Sequence, residues 1–183
     1  MKTPMLSLMF AGAVLACGSA QAFGHSSEAK AAYSQAKDQA AAAYKAARAK
    51  CDVITGNPRD VCVAEAKAVR VRSEQEAAAQ YSNTLKAYTN SRLAIADANY
   101  DLDKTRCEAL TGNDRDVCQS QAKATLVAAR ADAKADKKTI EARNDARDDK
   151  LTAEYKVALE KCDAYAGAVK DRCVLTAKTQ YGK

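Results

Sequence analysis

Of the side chains in this chain, the cysteines are the ones whose type and spacing could do distinctive chemistry. Six of the seven fall in three pairs, with ten residues between the members of each. Cys51-Asp-Val-Ile-Thr-Gly-Asn-Pro-Arg-Asp-Val-Cys62 is followed by Cys107-Glu-Ala-Leu-Thr-Gly-Asn-Asp-Arg-Asp-Val-Cys118. A looser copy, Cys162-Asp-Ala-Tyr-Ala-Gly-Ala-Val-Lys-Asp-Arg-Cys173, comes third. The first cysteines are spaced by 56 and then 55 residues. Each copy has Ala-Lys four residues past its second cysteine (Ala66-Lys67, Ala122-Lys123, Ala177-Lys178) and a tyrosine seven before its first (Tyr44, Tyr100, Tyr155). A period this long marks an internal repeat that sets the architecture.

Three chemistries are open to such pairs: disulfide crosslinks, thiol exchange and metal binding. Catalytic dithiols are usually spaced C-x-x-C, and zinc sites use closer spacing with histidines or a second pair. Here the spacing is wide and His25 is the one histidine. The pattern therefore points to Cys51–Cys62, Cys107–Cys118 and Cys162–Cys173 as structural crosslinks, with no catalytic, cofactor or metal site expected. Redox exchange is the alternative use of the same residues. No phosphate loop, nucleophile elbow or nucleotide fingerprint is present. Carboxylate pairs such as Asp132–Asp136 and Asp145–Asp149 lie among lysines and arginines, as on a solvated helix.

The elements that must position these cysteines read as helices. Alanine dominates, joined by Lys, Arg, Glu, Gln and Asp, mostly good helix formers. The two prolines are Pro4 and Pro58. Gly56 and Gly112 are expected to end helices in the left-handed conformation. Asn57 and Asn113 should cap the following ones, and Pro58 suits a first helical position. In the third copy Ala168 replaces the asparagine, so a weaker cap is expected there. The fold class is all-α, with antiparallel long helices in coiled-coil-like hairpins over roughly 26–54, 58–110, 114–166 and 169–181. Ser82-Asn83, Thr89-Asn90-Ser91 and the stretch from Asn144 to Asp149 are weak points. A break in both central segments would give a shorter six-helix bundle; with no Gly or Pro inside either, both are expected to run unbroken.

Apolar residues recur at spacings of three and four. Tyr33, Ala36, Ala40, Tyr44, Ala47, Cys51 and Ile54 form one seam. Tyr81, Leu85, Tyr88, Ile95 and Leu102 form a second, interrupted by Arg92 and Asn99. Tyr155, Ala158, Cys162 and Tyr165 form a third. Alanine seams bury little area, so the core should be thin. From Arg130 to Lys150, Ile140 is the single large apolar residue, and a solvated rod is expected.

The N-terminus reads as an export signal. Lys2 precedes an apolar run from Met5 to Ala16, and Ala20-Gln21-Ala22 is a small-x-small cleavage site. Residues 1–22 are the expected signal peptide. Residues 23–183 are the expected single elongated helical domain, carrying three helix-turn-helix repeats. Cleavage between Ala22 and Phe23 removes Cys17 and leaves an even cysteine count, as an oxidising compartment favours. Val14-Leu15-Ala16-Cys17 also resembles a lipobox, which would make Cys17 a lipidated N-terminus. The compartment is then periplasmic or secreted, or the outer-membrane surface if Cys17 is lipidated.

The net charge of +6 comes from 29 Lys+Arg against 23 Asp+Glu, interspersed along the chain. It suits other envelope proteins or anionic envelope polymers as partners, without specific nucleic-acid binding, and a membrane only through Cys17.

The runs Ala40-Ala41-Ala42-Ala43, Ala46-Ala47-Arg48-Ala49-Lys50 and Ala131-Asp132-Ala133-Lys134-Ala135-Asp136-Lys137 resemble the long Ala/Lys helix of TolA-like exported proteins of Gram-negative bacteria. This resemblance is one of composition. It implies a cell-envelope setting and transfers no functional residue. The expected role is a non-enzymatic envelope structural or interaction protein; a stress-protective, chaperone-like protein and a thiol-disulfide redox protein are the alternatives.

Overall fold

The structure, a computed structural model, describes residues 26–183. The expected cleavage site at Ala22 and Phe23, the alternative lipidation site Cys17, and His25 lie outside the described residues. Five α-helices follow one another: α1 (Ser27–Lys50), α2 (Asn57–Ser82), α3 (Leu85–Cys107), α4 (Gly112–Cys162) and α5 (Gly167–Tyr181). A 3-10 turn at Cys51–Val53 extends α1, and no strand occurs among the described residues.

Local signals account for most of the boundaries. The Ser26 hydroxyl accepts from the Ala29 N–H at 3.1 Å, with Glu28 in the first turn and Arg48 and Lys50 in the last, an arrangement the helix dipole favours. At each stapled turn the carbonyl of the first cysteine accepts from the N–H three residues on. Ile54, Leu110 and Tyr165 donate at 3.1, 3.1 and 3.0 Å. The chain then extends, and the glycine swings it into the next helix at positive φ: 66° at Gly56 and 54° at both Gly112 and Gly167.

Two expectations are corrected here. The glycines open the following helix and do not close the preceding one. The asparagines are not caps: none of these three helix starts has a side-chain cap hydrogen bond. Asn57 instead donates through Nδ2 to the Thr105 carbonyl of α3 at 2.8 Å. The change to Ala168 in the third copy therefore removes no cap.

The expected helix over 58–110 is in fact two. Asn83 sits in the left-handed region (φ 46°, ψ 41°), its N–H bonded to the Ala79 carbonyl at 2.8 Å. Thr84 then caps α3 by accepting from the Ala87 N–H at 3.1 Å. Asparagine tolerates this conformation better than other non-glycine residues, so the turn needed neither Gly nor Pro. The other central segment runs unbroken: α4 has 51 residues, about 75 Å of helix, and passes through Asn144 to Asp149 without a break.

Successive helices are antiparallel. Arg106 of α3 reaches Glu65 of α2 at 2.7 Å, and Arg92 of α3 reaches Asp136 of α4 at 2.6 Å. Each helix packs only on its neighbours in the chain, α1 on α2, α2 on α3, α3 on α4 and α4 on α5. Four antiparallel helices would close into a bundle if α1 met α4; here they form an open single layer. The final hairpin, made by the end of α4 and α5, lies beyond a bare stretch in which residues 138–151 are all exposed.

Packing on two sides explains where the seams hold and where they do not. Each expected seam position of α1 and its turn is at least half-buried. In α3, Tyr88 is exposed while Thr89, Ser91, Ala96 and Ala98 are buried, because this helix serves two neighbours. Tyr165 is also exposed, in the turn after α4. The core is small: Ala68, Ala98 and Leu102 cluster between α2 and α3, with Val61, Ala64 and Val71 packed against them.

Replacing Asn83 by alanine should keep the helices but strain the turn. A loss of about 1–2 kcal/mol is expected for an L-residue with a β-carbon and no compensating polar side chain at positive φ. Urea unfolding followed by circular dichroism measures it.

Candidate functional site

The site that the sequence singles out is built three times. Cys51–Cys62, Cys107–Cys118 and Cys162–Cys173 are disulfides with Cα atoms 5.7, 5.7 and 5.6 Å apart. Helix axes usually pack 8–10 Å apart, and a cystine demands a close approach of the backbones. The residue that allows this is the alanine four positions past each second cysteine, on the same helix face one turn on. Ala66, Ala122 and Ala177 are all buried. The Ala-Lys signature was visible in the sequence, but its purpose was not: the alanine seats the neighbouring helix beside the cystine.

The first cysteine of each pair (Cys51, Cys107, Cys162) is fully buried, and the second is half-buried. A groove runs along each cystine. The α1–α2 groove encloses about 450 Å³ and is lined by Ala40, Tyr44, Ala47, Cys62, Ala66 and Val69. Its α4–α5 equivalent encloses about 680 Å³, with Val157, Ala158, Cys173, Ala177 and Tyr181 in its walls. The α3–α4 groove, about 420 Å³, includes Arg106, Val117, Cys118 and Ala122.

The repeated tyrosine braces each hairpin. The Arg70 guanidinium lies 5.3 Å from the Tyr44 ring centre, and the Lys104 and Lys123 ammonium groups lie 5.6 and 5.4 Å from that of Tyr100. Tyr155 meets Tyr181 at 6.2 Å between ring centres. Such contacts contribute about 0.5–1.5 kcal/mol each.

Comparisons with known proteins bring no counterpart. No protein-family model, curated protein or solved structure matches this chain. Its chemistry is therefore read from its own geometry.

Every cysteine among the described residues is in a disulfide. Among those residues, no group of three His, Cys, Asp or Glu side chains could hold a metal ion. Asp132, Asp136, Asp145 and Asp149 are exposed on α4, and Asp136 is paired with Arg92. At the first turn, the hydrogen bond from Arg48, against a smaller opposing effect of burial and helped by the charges of Arg48 and Arg59, holds the Asp52 carboxyl below its ordinary 3.8. The pair is exposed, so it contributes little to stability. Three intramolecular disulfides fit an oxidising compartment. No helix among the described residues is long and apolar enough to cross a membrane.

The two ends of the array depend on their staples to different degrees. α5 has 15 residues and buries only Ala177, close to the length at which a helix is marginal in water. α1 has 24 residues and adds the stacked Tyr33–Tyr81 rings, 4.9 Å between centres, to the Tyr44–Arg70 contact. Replacing Cys162 and Cys173 by alanine should leave most far-ultraviolet helicity while making the chain beyond Gly167 protease-sensitive. Replacing Cys51 and Cys62 should have a milder local effect. Limited proteolysis read by mass spectrometry compares them, and equal sensitivity of the two ends contradicts the account.

Asp52 should titrate below 3.8 in an NMR pH series and move back toward it in Arg48→Ala. Because the folded value is the lower one, its small stabilisation is present above the unfolded value. It is lost as pH falls through the folded value.

Proposed function

We propose that the protein is a non-enzymatic structural protein of the bacterial cell envelope, exported to the periplasm or cell surface. In this reading it is a disulfide-stapled helical rod that acts as spacer, scaffold or interaction surface. The observation that carries this is the threefold repetition of one cystine in one setting: first cysteine fully buried, alanine seat beside it, helix reversal around it. A redox centre gains nothing from three equivalent buried copies, whereas a thin array of helices gains a closure at each end-turn. On the chain-entropy model each closes a loop with a stabilisation of about 3 kcal/mol. The Ala/Lys composition of α1 and α4 supports the envelope setting, as does the export signal with cleavage between Ala22 and Phe23. The exposed, mixed-charge face of α4 suits envelope proteins or anionic polymers as partners.

The test is made on protein isolated from the periplasm of an exporting host. Peptide mapping without reductant should return the three local pairings with no free thiol, and intact mass should place the N-terminus at Phe23. The oxidised protein should also fail to transfer its disulfides catalytically to a reduced substrate protein. Free or scrambled cysteines, or turnover in that assay, would replace the scaffold by a redox protein. A diacylglyceryl group on Cys17 would make it a membrane-anchored lipoprotein.

A further inference from the structure

The second repeat carries the same pair of helix faces as the first, but in α4 no helix covers them: Val117 and Val157 only border the α3–α4 and α4–α5 grooves and stay exposed. In the first repeat, α2 and α3 meet through Val61, Val71 and Leu102, with Ala68 and Ala98 between them. Counting from the cysteines, these correspond to Val117, Val127 and Val157, with Ala124 and Ala153. The three valines are 59, 56 and 54% exposed, and both alanines are exposed. Within the first half of α4, Cys118, Ala122, Leu126 and Ala133 carry the side packed on α3. At about 100° per residue, Ala124 and Val127 lie well away from that side, and Val117 stands at the outer edge of the α3–α4 groove. In α2 the equivalent positions, Val61, Ala68 and Val71, are the ones that meet α3.

The reason these faces do not meet within one chain is a single residue. Cys62 and Cys107 are 45 positions apart, whereas Cys118 and Cys162 are 44 apart. Setting Thr84-Leu85 against Thr139-Ile140 leaves Asn83 as the residue without a counterpart. Asn83 is the left-handed residue that folds α3 back on α2. Without it α4 runs straight, and its two complementary faces are held at opposite halves of one rigid helix, about 75 Å long.

We infer that these faces pair between two copies of this chain. The first half of α4 packs antiparallel on the second half of α4 in the partner, about a twofold axis near residues 138–139. This reproduces the α2–α3 contact twice. The partner helix covers the exposed stretch at 138–151, and Ile140 comes to lie next to the axis. Each half contributes a strip about 37 Å long and 10 Å wide, so four strips give about 1,500 Å² in all, the size of an ordinary stable interface. The inference rests on packing and the repeat, independently of the scaffold role.

The test is sedimentation velocity and light scattering on the oxidised protein, from low micromolar to about a hundred micromolar. A dimer is expected. Val117→Glu and Val157→Glu should each weaken it by at least about tenfold with unchanged circular dichroism, since both side chains are exposed in the single chain. An asparagine inserted between Lys138 and Thr139 restores the missing turn, and should convert the dimer into a compact monomer of equal helicity. A monomer throughout the range overturns the proposal, as does a dimer indifferent to both glutamates or to the insertion.

Discussion

A cystine joining two helices requires their backbones to approach within a distance that large side chains forbid, and the rest of this structure follows from satisfying that requirement three times. Alanine is the residue that permits it, and Ala66, Ala122 and Ala177 stand one turn from the second cysteine of each pair. Alanine-lined contacts bury little apolar area. A chain built this way cannot gather a deep core, and its helices lie side by side in one layer. The crosslink and the thin core are two sides of one choice: the small residues that admit the disulfide also make it necessary.

Polar contacts complete the layer without thickening it. Ion pairs such as Arg106–Glu65, Arg92–Asp136 and Arg130–Asp97 bridge neighbouring helices at their edges. All are substantially exposed and each contributes little. Tyr33 on Tyr81 fastens the start of α1 to the far end of α2, where no cystine is available. The hairpins are thus held at the turn by sulfur and along their length by rings and charges.

Much of this was legible in the sequence because it depends on local chemistry. The cysteine period gave the turns and their pairings, alanine content and the scarcity of proline gave the helices, and the α1 seam could be read by spacing alone. What was not legible depends on single residues in tertiary settings. Asn83 looked like one weak helix position among several, and only packing of α2 on α3 selects it as the reversal. Asn57 looked like a cap, but its amide serves a carbonyl 48 residues away. The α3 seam was incomplete: Tyr81, Leu85, Ile95 and Leu102 are buried or half-buried, but Thr89, Ser91, Ala96 and Ala98 were missed because a helix between two neighbours has two packed sides.

Because each helix touches only its chain neighbours, the molecule behaves as a one-dimensional series of contacts. In such a series stability is approximately a sum of local terms, and cooperativity extends only as far as the links between units. Within one chain, opening α5 exposes nothing of α1, α2 or α3, and the bare middle of α4 transmits no side-chain packing from one end to the other. A single chain can therefore lose order at one extremity while the other stays native, so one unfolding midpoint does not describe it. Adding or deleting a hairpin would change its reach without disturbing a shared core.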